Sequence, residues 1–471
     1  MILSASWVIP VSSPPISEGA VVLDGERIQD LGPTAEMLRS YPDREVRDFK
    51  GAALMPGLVN VHSHLELTLL RGYLENLRFW DWIRHLTRTK YQVLTRADLK
   101  ISALAGTCEA IRSGVTTLGD AMDLGTSLDA LTASGLRGVL YQEIFSPRPE
   151  EAGQRLAELE AKLANLEERI GSASVRRKGS AEDRSNRVKL GVSPHAPYSV
   201  SGTLFRKVRQ LAASRGLPVC IHVAESEDES LLIEEGKGAM AEALSARGIQ
   251  WSAPGCSPVQ YLHRLEVLSP GTLLVHCVRL RATDIPILKQ SGVSIAHCPK
   301  SNWKLGHGSM DLKQAFHAGI PLGLGSDSVA SNNSMDLFEE MRFSLFNPSW
   351  FGRSDEPRDA GGTRKVFAAE KALHLATLGG AEALGLSGSI GSLETGKQAD
   401  LIAVDLAGIH TMPVFSPVTA IVHSARASDV ILTMVGGEVL FEEGTVTTLD
   451  EPDLKTHIGM ILQKLKPARP A

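Results

Sequence analysis

Residues 54–72 read LMPGLVNVHSHLELTLLRG, and the parsing of this stretch decides the fold. A short apolar run, GLVNVHSH, ends in two histidines one residue apart and then gives way to a leucine-rich segment. Along a strand, residues i and i+2 share a face, so His62 and His64 are expected to point to one side and Ser63 to the other. The run is the first of a series: GVTTLGDA (114–121), RGVLYQEIF (137–145), VKLGVSPHA (188–196), PVCIHVAES (218–226), TLLVHCV (272–278), GVSIAHCP (292–299) and PLGLGSDS (321–328) follow it. Between them lie stretches of helical period such as RADLKISALAGTCEAIRSG (96–114) and SGTLFRKVRQLAASRG (201–216), each closed by a glycine suited to a helix C-terminus. Strand runs alternating with helices predict parallel βα units, and eight of them is the number of a (βα)8 TIM barrel.

The flanks differ. GAVVLDGERIQDLG (19–32) reads as two strands around an Asp-Gly turn. GSIGSLETGKQADLIAVDL (388–406) and VILTMVGGEVLFEEG (430–444) return to β character, followed by an amphipathic helix near 452–466. Neither flank has enough apolar residues to fold alone. We therefore expect residues 1–56 and 389–471 to form one composite β-sandwich domain and residues 57–388 to form the catalytic barrel. The Ser/Arg/Lys-rich stretch GSASVRRKGSAEDRSNR (171–187) lacks apolar period and reads as a mobile surface insertion.

With 43% hydrophobic and 22% charged residues over 471 positions, the chain has the apolar material of a large globular protein. A formal charge of −5 offers no basic field for nucleic acid or an anionic membrane surface. No run of about 18 apolar residues is present to span a bilayer, and the N-terminus lacks the pattern of a signal peptide. Five cysteines without a CxxC pair fit reduced thiols, and the expectation is a cytoplasmic protein that acts on a small molecule, alone or as a homo-oligomer.

The polar residues gather at the C-terminal ends of the runs: His62 and His64 in the first, His195 in the fourth, His222 and Glu225 in the fifth, His276 in the sixth, His297 in the seventh and Asp327 in the eighth. That face carries the active site of barrel enzymes. One such histidine is ordinarily a satisfied core residue, but a cavity filled with unpaired imidazoles and carboxylates is costly without an ion or substrate. A catalytic Zn2+, with Fe2+ as the second option, takes imidazole and carboxylate ligands and keeps a position for water, a set that His62, His64, His222 and Asp327 supply. Glu225, three residues after His222, is placed to shuttle a proton.

These motifs resemble the amidohydrolase superfamily, and within it the cytosine/adenosine deaminase and chlorohydrolase branch that includes methylthioadenosine/S-adenosylhomocysteine deaminases. The matching pieces are PGLVNVHSHLELTLLRG, SPHAPYSVS, HVAESEDE, HCPKSNWKLGHG, GSDSVASNNSMDLFEEMR, GKQADLIAVD and VHSARASDVILTMVGGEVL, in family order. The resemblance implies one metal held by His62, His64, His222 and Asp327, Glu225 as the catalytic acid, His276 orienting water and His195 facing substrate. It further implies hydrolytic deamination of an aminated heterocycle such as a purine nucleoside, with proton transfer through Glu225, His276 and Asp327. Departures from the family pattern fall at Glu66, two residues beyond His64, and at HCPKSN.

On the substrate side, Trp80 and Trp82 lie near the expected mouth, with Trp82 the candidate for stacking on a planar ring. Glu66 is expected on the face of the metal histidines, where it would bind a hydroxyl or amine. Arg148 is a candidate for gripping a carboxylate, against the competing reading of a solvated loop arginine. Two alternatives remain. The same site can expel chloride or an alkylamine from a triazine-like ring, and a non-catalytic metal-binding module would be expected to lack Glu225 or Asp327. A second, bridged metal is disfavoured because SPHAPYS stands where a bridging lysine would be needed.

Overall fold

A computed structural model of the chain describes residues 1–176, 184–347, 349 and 368–466. All eight runs are strands: β1 (Leu58–Ser63), β2 (Val115–Met122), β3 (Arg137–Ile144), β4 (Val188–Pro194), β5 (Val219–Val223), β6 (Thr272–His276), β7 (Ser294–His297) and β8 (Leu322–Leu324). They hydrogen-bond in chain order as one parallel sheet. The sheet closes on itself beyond the last regular strand: the Asp327 N–H donates to the His62 carbonyl at 2.9 Å, and Ser326 N–H and Asn60 Nδ2 exchange hydrogen bonds with each other's side chains at 3.0 and 2.7 Å. The result is a TIM barrel.

Alternation fills the interior. Val59, Val61, Val139, Tyr141, Cys220, Leu273, Val275, Ala296 and Cys298 form one buried cluster inside the strands. The register of β1 against β2 shifts between Asn60 and Ser63, a bulge at the point where the two histidines leave the interior packing for the top of the barrel. Close approach is required at Gly325, where a Cβ would come within 2.9 Å of the His62 Cβ.

The helices begin and end as the sequence dictates. Thr95 and Asp98 form a capping box at the start of Arg96–Arg112, and Gly202–Arg215 starts at an Ser201 cap and stops at Gly216 with φ 64°. The terminal segments build a second eight-stranded sheet. At its centre Val46–Pro56 pairs in parallel with Ile2–Val8 and antiparallel with Leu401–Asp405, which joins the two ends of the chain in one composite domain. The Asp-Gly turn appears as expected between Ile16–Asp24 and Arg27–Pro33, with Gly25 at φ 57°.

The insertion departs from its expected character at both edges. The helix Ala152–Arg176 runs six residues into it. At the other edge the Arg184 and Arg187 guanidinium groups both pair with Glu438 of the terminal sheet. Residues 177–183 lie outside the described residues.

Arg137, the first residue of β3, ties the barrel to the terminal sheet: its Nε and one terminal nitrogen donate to the two oxygens of Asp400 at 2.7 and 3.1 Å, with both side chains largely buried. Removing one partner strands the other's charge, at a cost of about 3–5 kcal/mol. Asp400→Ala is therefore expected to lower the urea unfolding midpoint clearly while leaving kcat of the folded fraction near wild type; an unchanged midpoint would show that the pair does not hold the two sheets together.

Candidate active site

His64 and His222 are each held through Nδ1 by a backbone carbonyl. His64 Nδ1 donates to the Ala121 carbonyl at 3.1 Å. Asp120, buried beside it, accepts from Ser63 Oγ and the Leu65 N–H at 2.9 and 2.7 Å, which turns the chain sharply after His64. Burial pushes the Asp120 carboxyl up to about 7. His222 is fixed in the same manner, with Nδ1 on the His195 carbonyl at 3.1 Å. An imidazole whose Nδ1 donates to a carbonyl presents an unprotonated Nε2.

Those Nε2 atoms converge. His222 Nε2 lies 3.2 Å from His62 Nε2, and Asp327 Oδ1 lies 3.3 Å from His62 Nε2 and 3.6 Å from His64 Nε2. The other Asp327 oxygen accepts from Ser301 Oγ at 2.6 Å and Ser331 Oγ at 2.8 Å, which turns Oδ1 toward the rings. Burial lowers the pKa of His62, His64 and His222, the last to about 3, so these rings are neutral. Burial would raise Asp327, but its hydrogen bond with His62 and the imidazoles that surround it outweigh this and hold the carboxyl well below its usual range. Facing lone pairs beside an ionised carboxylate are repulsive by themselves and complementary to a divalent cation. His62, His64 and Asp327 have the spacing of a metal-ligand group, as do His62, His222 and His276.

Glu225 stands beside this cluster. Its Oε1 is 3.5 Å from His276 Nε2 and 3.5 Å from His307 Nε2. Burial raises its pKa, yet the charges of His276 and His307 prevail and bring it down to about 2. His276 is oriented through Nδ1 by Asn302 Oδ1 at 2.9 Å. Glu229 anchors the loop by accepting the Ala224 and Glu225 N–H groups at 3.1 and 2.8 Å. The backbone here is strained: His276 and Asp327, neither a glycine, sit at φ 74° and 58°.

A cavity of about 410 Å³ opens over the cluster, lined by His64, His195, His222, Glu225, His276 and Asp327 on the polar side. Phe79, Trp80, Trp82, Phe145 and Tyr198 supply aromatic walls. Trp82 is buried and stacks beside Phe79 at 6.3 Å between ring centroids, and Trp80, from the same helix Phe79–Arg88, also reaches the cavity. His195 lies against Phe145 and His222 at 4.8 and 4.7 Å, with Nδ1 on Ser199 Oγ.

Three expectations are corrected. Glu66 is not on the face of the metal histidines, because the strand ends at Ser63 and Leu65–Leu70 forms a 3₁₀ helix. Its carboxylate turns away to accept the N–H groups of Asp123, Leu124 and Thr126 and to pair with Lys90 Nζ at 3.3 Å, so it organises the loop after β2. Arg148 lines a neighbouring cavity, where it donates to the Arg247 carbonyl at 2.6 Å and lies near Glu150 and Glu151. His297 is buried and does not line the cavity, and neither ring nitrogen has a hydrogen-bond partner among the described residues. Conversely, the sequence reading left His307 among the loop histidines, although HCPKSNWKLGHG contains it, and did not single out Glu143 or Lys90.

The match to known proteins agrees with this geometry. Residues 53–440 fit the model of the amidohydrolase family. The chain belongs to the amidohydrolase family. Residues 19–43 fit the bacterial imidazolonepropionase-like composite domain. The chain is 31% identical over 97% of its own length, and 97% of the relative's, to a 5-methylthioadenosine/S-adenosylhomocysteine deaminase of Moorella thermoacetica. It is 34% identical to a 5′-deoxyadenosine deaminase of Methanosarcina mazei, over 93% of this chain and 91% of the other. Among solved structures, a zinc-bound adenosine deaminase from Xanthomonas campestris superposes with a TM-score of 0.80 at 25% identity over 99% of this chain and 98% of that one. An atrazine chlorohydrolase from Arthrobacter aurescens, at 21% identity, a TM-score of 0.79 and coverage of 98% and 99%, shares the fold. The chain is accordingly a hydrolase of C–N bonds in heterocycles that uses a divalent metal, and no helix among the described residues is long and apolar enough to cross a membrane.

Ser301 and Ser331 both grip Asp327 through its second carboxylate oxygen. Replacing both by alanine is expected to weaken metal binding by roughly 10–100-fold in a chelator competition, the range found when supporting hydrogen bonds to a ligand are removed. Unaltered affinity would show that Asp327 needs no such support.

Proposed function

We propose that the protein is a hydrolytic deaminase of a purine nucleoside derivative such as adenosine, methylthioadenosine or S-adenosylhomocysteine, with Zn2+ as its ion. His62, His64, His222 and Asp327 would hold that ion. The observation that carries the reading is the position of Glu225: it faces His276 and His307 at 3.5 Å each, beside the convergent ligand set and open to the cavity. The relatives named for deamination of adenosine nucleosides support the substrate class, and the aromatic walls suit a planar base. The cavity also falls in the size range of small-molecule sites, about 300–1,000 Å³.

When bound, the ion supplies a Lewis acid and a water that ionises near neutral pH. The chain's own residues do the rest. Asp327 and His276 take the proton of the attacking water and aim it at the ring carbon bearing the amine. That proton passes to the Glu225 carboxylate, which delivers it to the adjacent ring nitrogen and so makes that carbon electrophilic. The carbon becomes tetrahedral; the proton of its new hydroxyl passes to the departing nitrogen, the C–N bond breaks as the C=O forms, ammonia leaves, and the product is the oxo heterocycle. Trp82 would stack on the base, and His195 would meet its far side. The work would take place in the cytoplasm, within a barrel of residues 57–388 buttressed by a composite domain of residues 1–56 and 389–471.

Two variants separate chemistry from binding. In a zinc-loaded ammonia-release assay on adenosine derivatives, Glu225→Gln should retain its metal and lose about 10²–10⁴-fold in kcat, the usual contribution of a general acid–base group. His62→Ala should lose metal and turnover together and recover part of the rate in excess zinc. If Glu225→Gln loses metal as readily as His62→Ala, the glutamate is a ligand and the proposed proton path is wrong.

A further inference from the structure

Glu143 has no part in the chemistry just described, although it lines the cavity. Along β3, Val139 and Tyr141 fill the barrel interior, and alternation brings Glu143, two residues on, to the inner face at the top. A carboxylate oxygen of Glu143 and ring nitrogens of His195 and His222 all lie within 4.8 Å of one another. The side chain is only 5% exposed, and its Oε1 has no hydrogen-bond partner among the described residues. A buried carboxylate oxygen left without a donor is costly, so a donor is expected from whatever fills the cavity.

We propose that Glu143, beside His195, is a substrate-contacting specificity residue that accepts hydrogen bonds from the ribose hydroxyls of the nucleoside, an inference that rests on the nucleoside reading above. The strand order fixes the direction. In an eight-stranded barrel, β3 stands opposite β7. Glu225, His276 and His307 follow β5, β6 and β7, so the reacting edge of the base, its amine-bearing carbon and adjacent nitrogen, lies on that side. Glu143 and His195 rise from β3 and β4 and meet the remainder of the molecule. In a purine nucleoside the ring atoms away from the reacting edge are acceptors, and the donors on that side are the sugar hydroxyls. Glu143 also lines the adjoining cavity of about 360 Å³, together with Phe145, Pro147 and Arg247, which places it at the junction of the two chambers and against the middle of an elongated ligand.

The test is a substrate-by-variant cycle of kcat/KM with adenosine, 2′-deoxyadenosine and 3′-deoxyadenosine, on zinc-loaded wild type, Glu143→Ala and the similarly sized Glu143→Met. The wild type should favour the ribonucleoside over at least one deoxy analogue by roughly 10–100-fold, as befits a hydrogen bond to a charged or strongly polar group. Both variants should lose activity on adenosine and retain it on that analogue, so the preference collapses to near unity. A merely structural glutamate would lower all three substrates equally, and that result overturns the proposal, as does a preference that survives in whichever variant is soluble. Wild type that deaminates all three substrates alike overturns it too while leaving the nucleoside reading intact. Wild type that releases ammonia from a free base but from no nucleoside removes both.

Discussion

The hydrogen bond from the Asp327 N–H to the His62 carbonyl is the point on which the rest of the molecule turns. It is a seam contact, made where the last strand meets the first, and it closes the sheet into a barrel. It also brings residues 265 positions apart in sequence into one cluster, because the side chains of those same two residues face each other at 3.3 Å. Closure and site assembly are thus one event. A barrel left open at this seam would keep His62 and His64 but lose the Asp327 carboxylate that faces them. The close approach at Gly325 and the Asn60–Ser326 exchange serve the same seam.

Around the seam the protein spends buried polar groups on orientation. Asp120 holds the turn after His64, Glu229 holds the loop that bears Glu225, Asn302 holds His276, and two serines hold Asp327. Each of these supports would be a liability in an apolar core; here each has a defined partner, and together they fix rings and carboxylates to the tolerance that catalysis needs. Strained φ values at His276 and Asp327 belong to the same economy, since flanking hydrogen bonds hold conformations that a free chain would avoid. The clustered imidazoles and the Asp327 carboxylate are thus set in place by the fold itself.

Much of this was legible in the sequence for a simple reason. A parallel strand buried on both faces leaves an uninterrupted apolar run, so a histidine or acid at its end is conspicuous, and His62, His222, His276 and Asp327 were all visible in that way. Legibility failed where the chain left the strand. The alternation that placed Glu66 with the histidines ended with the strand at Ser63, and a 3₁₀ turn sent its carboxylate to the loop after β2 instead. His307 lies in a loop beyond a short helix, and no periodicity says which way such a residue faces. Glu143 is the instructive omission: it closes the third run as His222 closes the fifth, and an acid in YQEIF carried the same signal. His297 shows the converse, since it ends a strand and yet does not line the cavity.

The central claim is that one ion is held by His62, His64, His222 and Asp327 while Glu225 stays outside its coordination sphere. Anomalous diffraction from a zinc-loaded crystal tests it directly. The account predicts a single peak per chain, about 2.0–2.2 Å from three imidazole nitrogens and one Asp327 oxygen, the distances zinc takes to such ligands. Two peaks of comparable height, or a single peak with Glu225 at bonding distance, would contradict it.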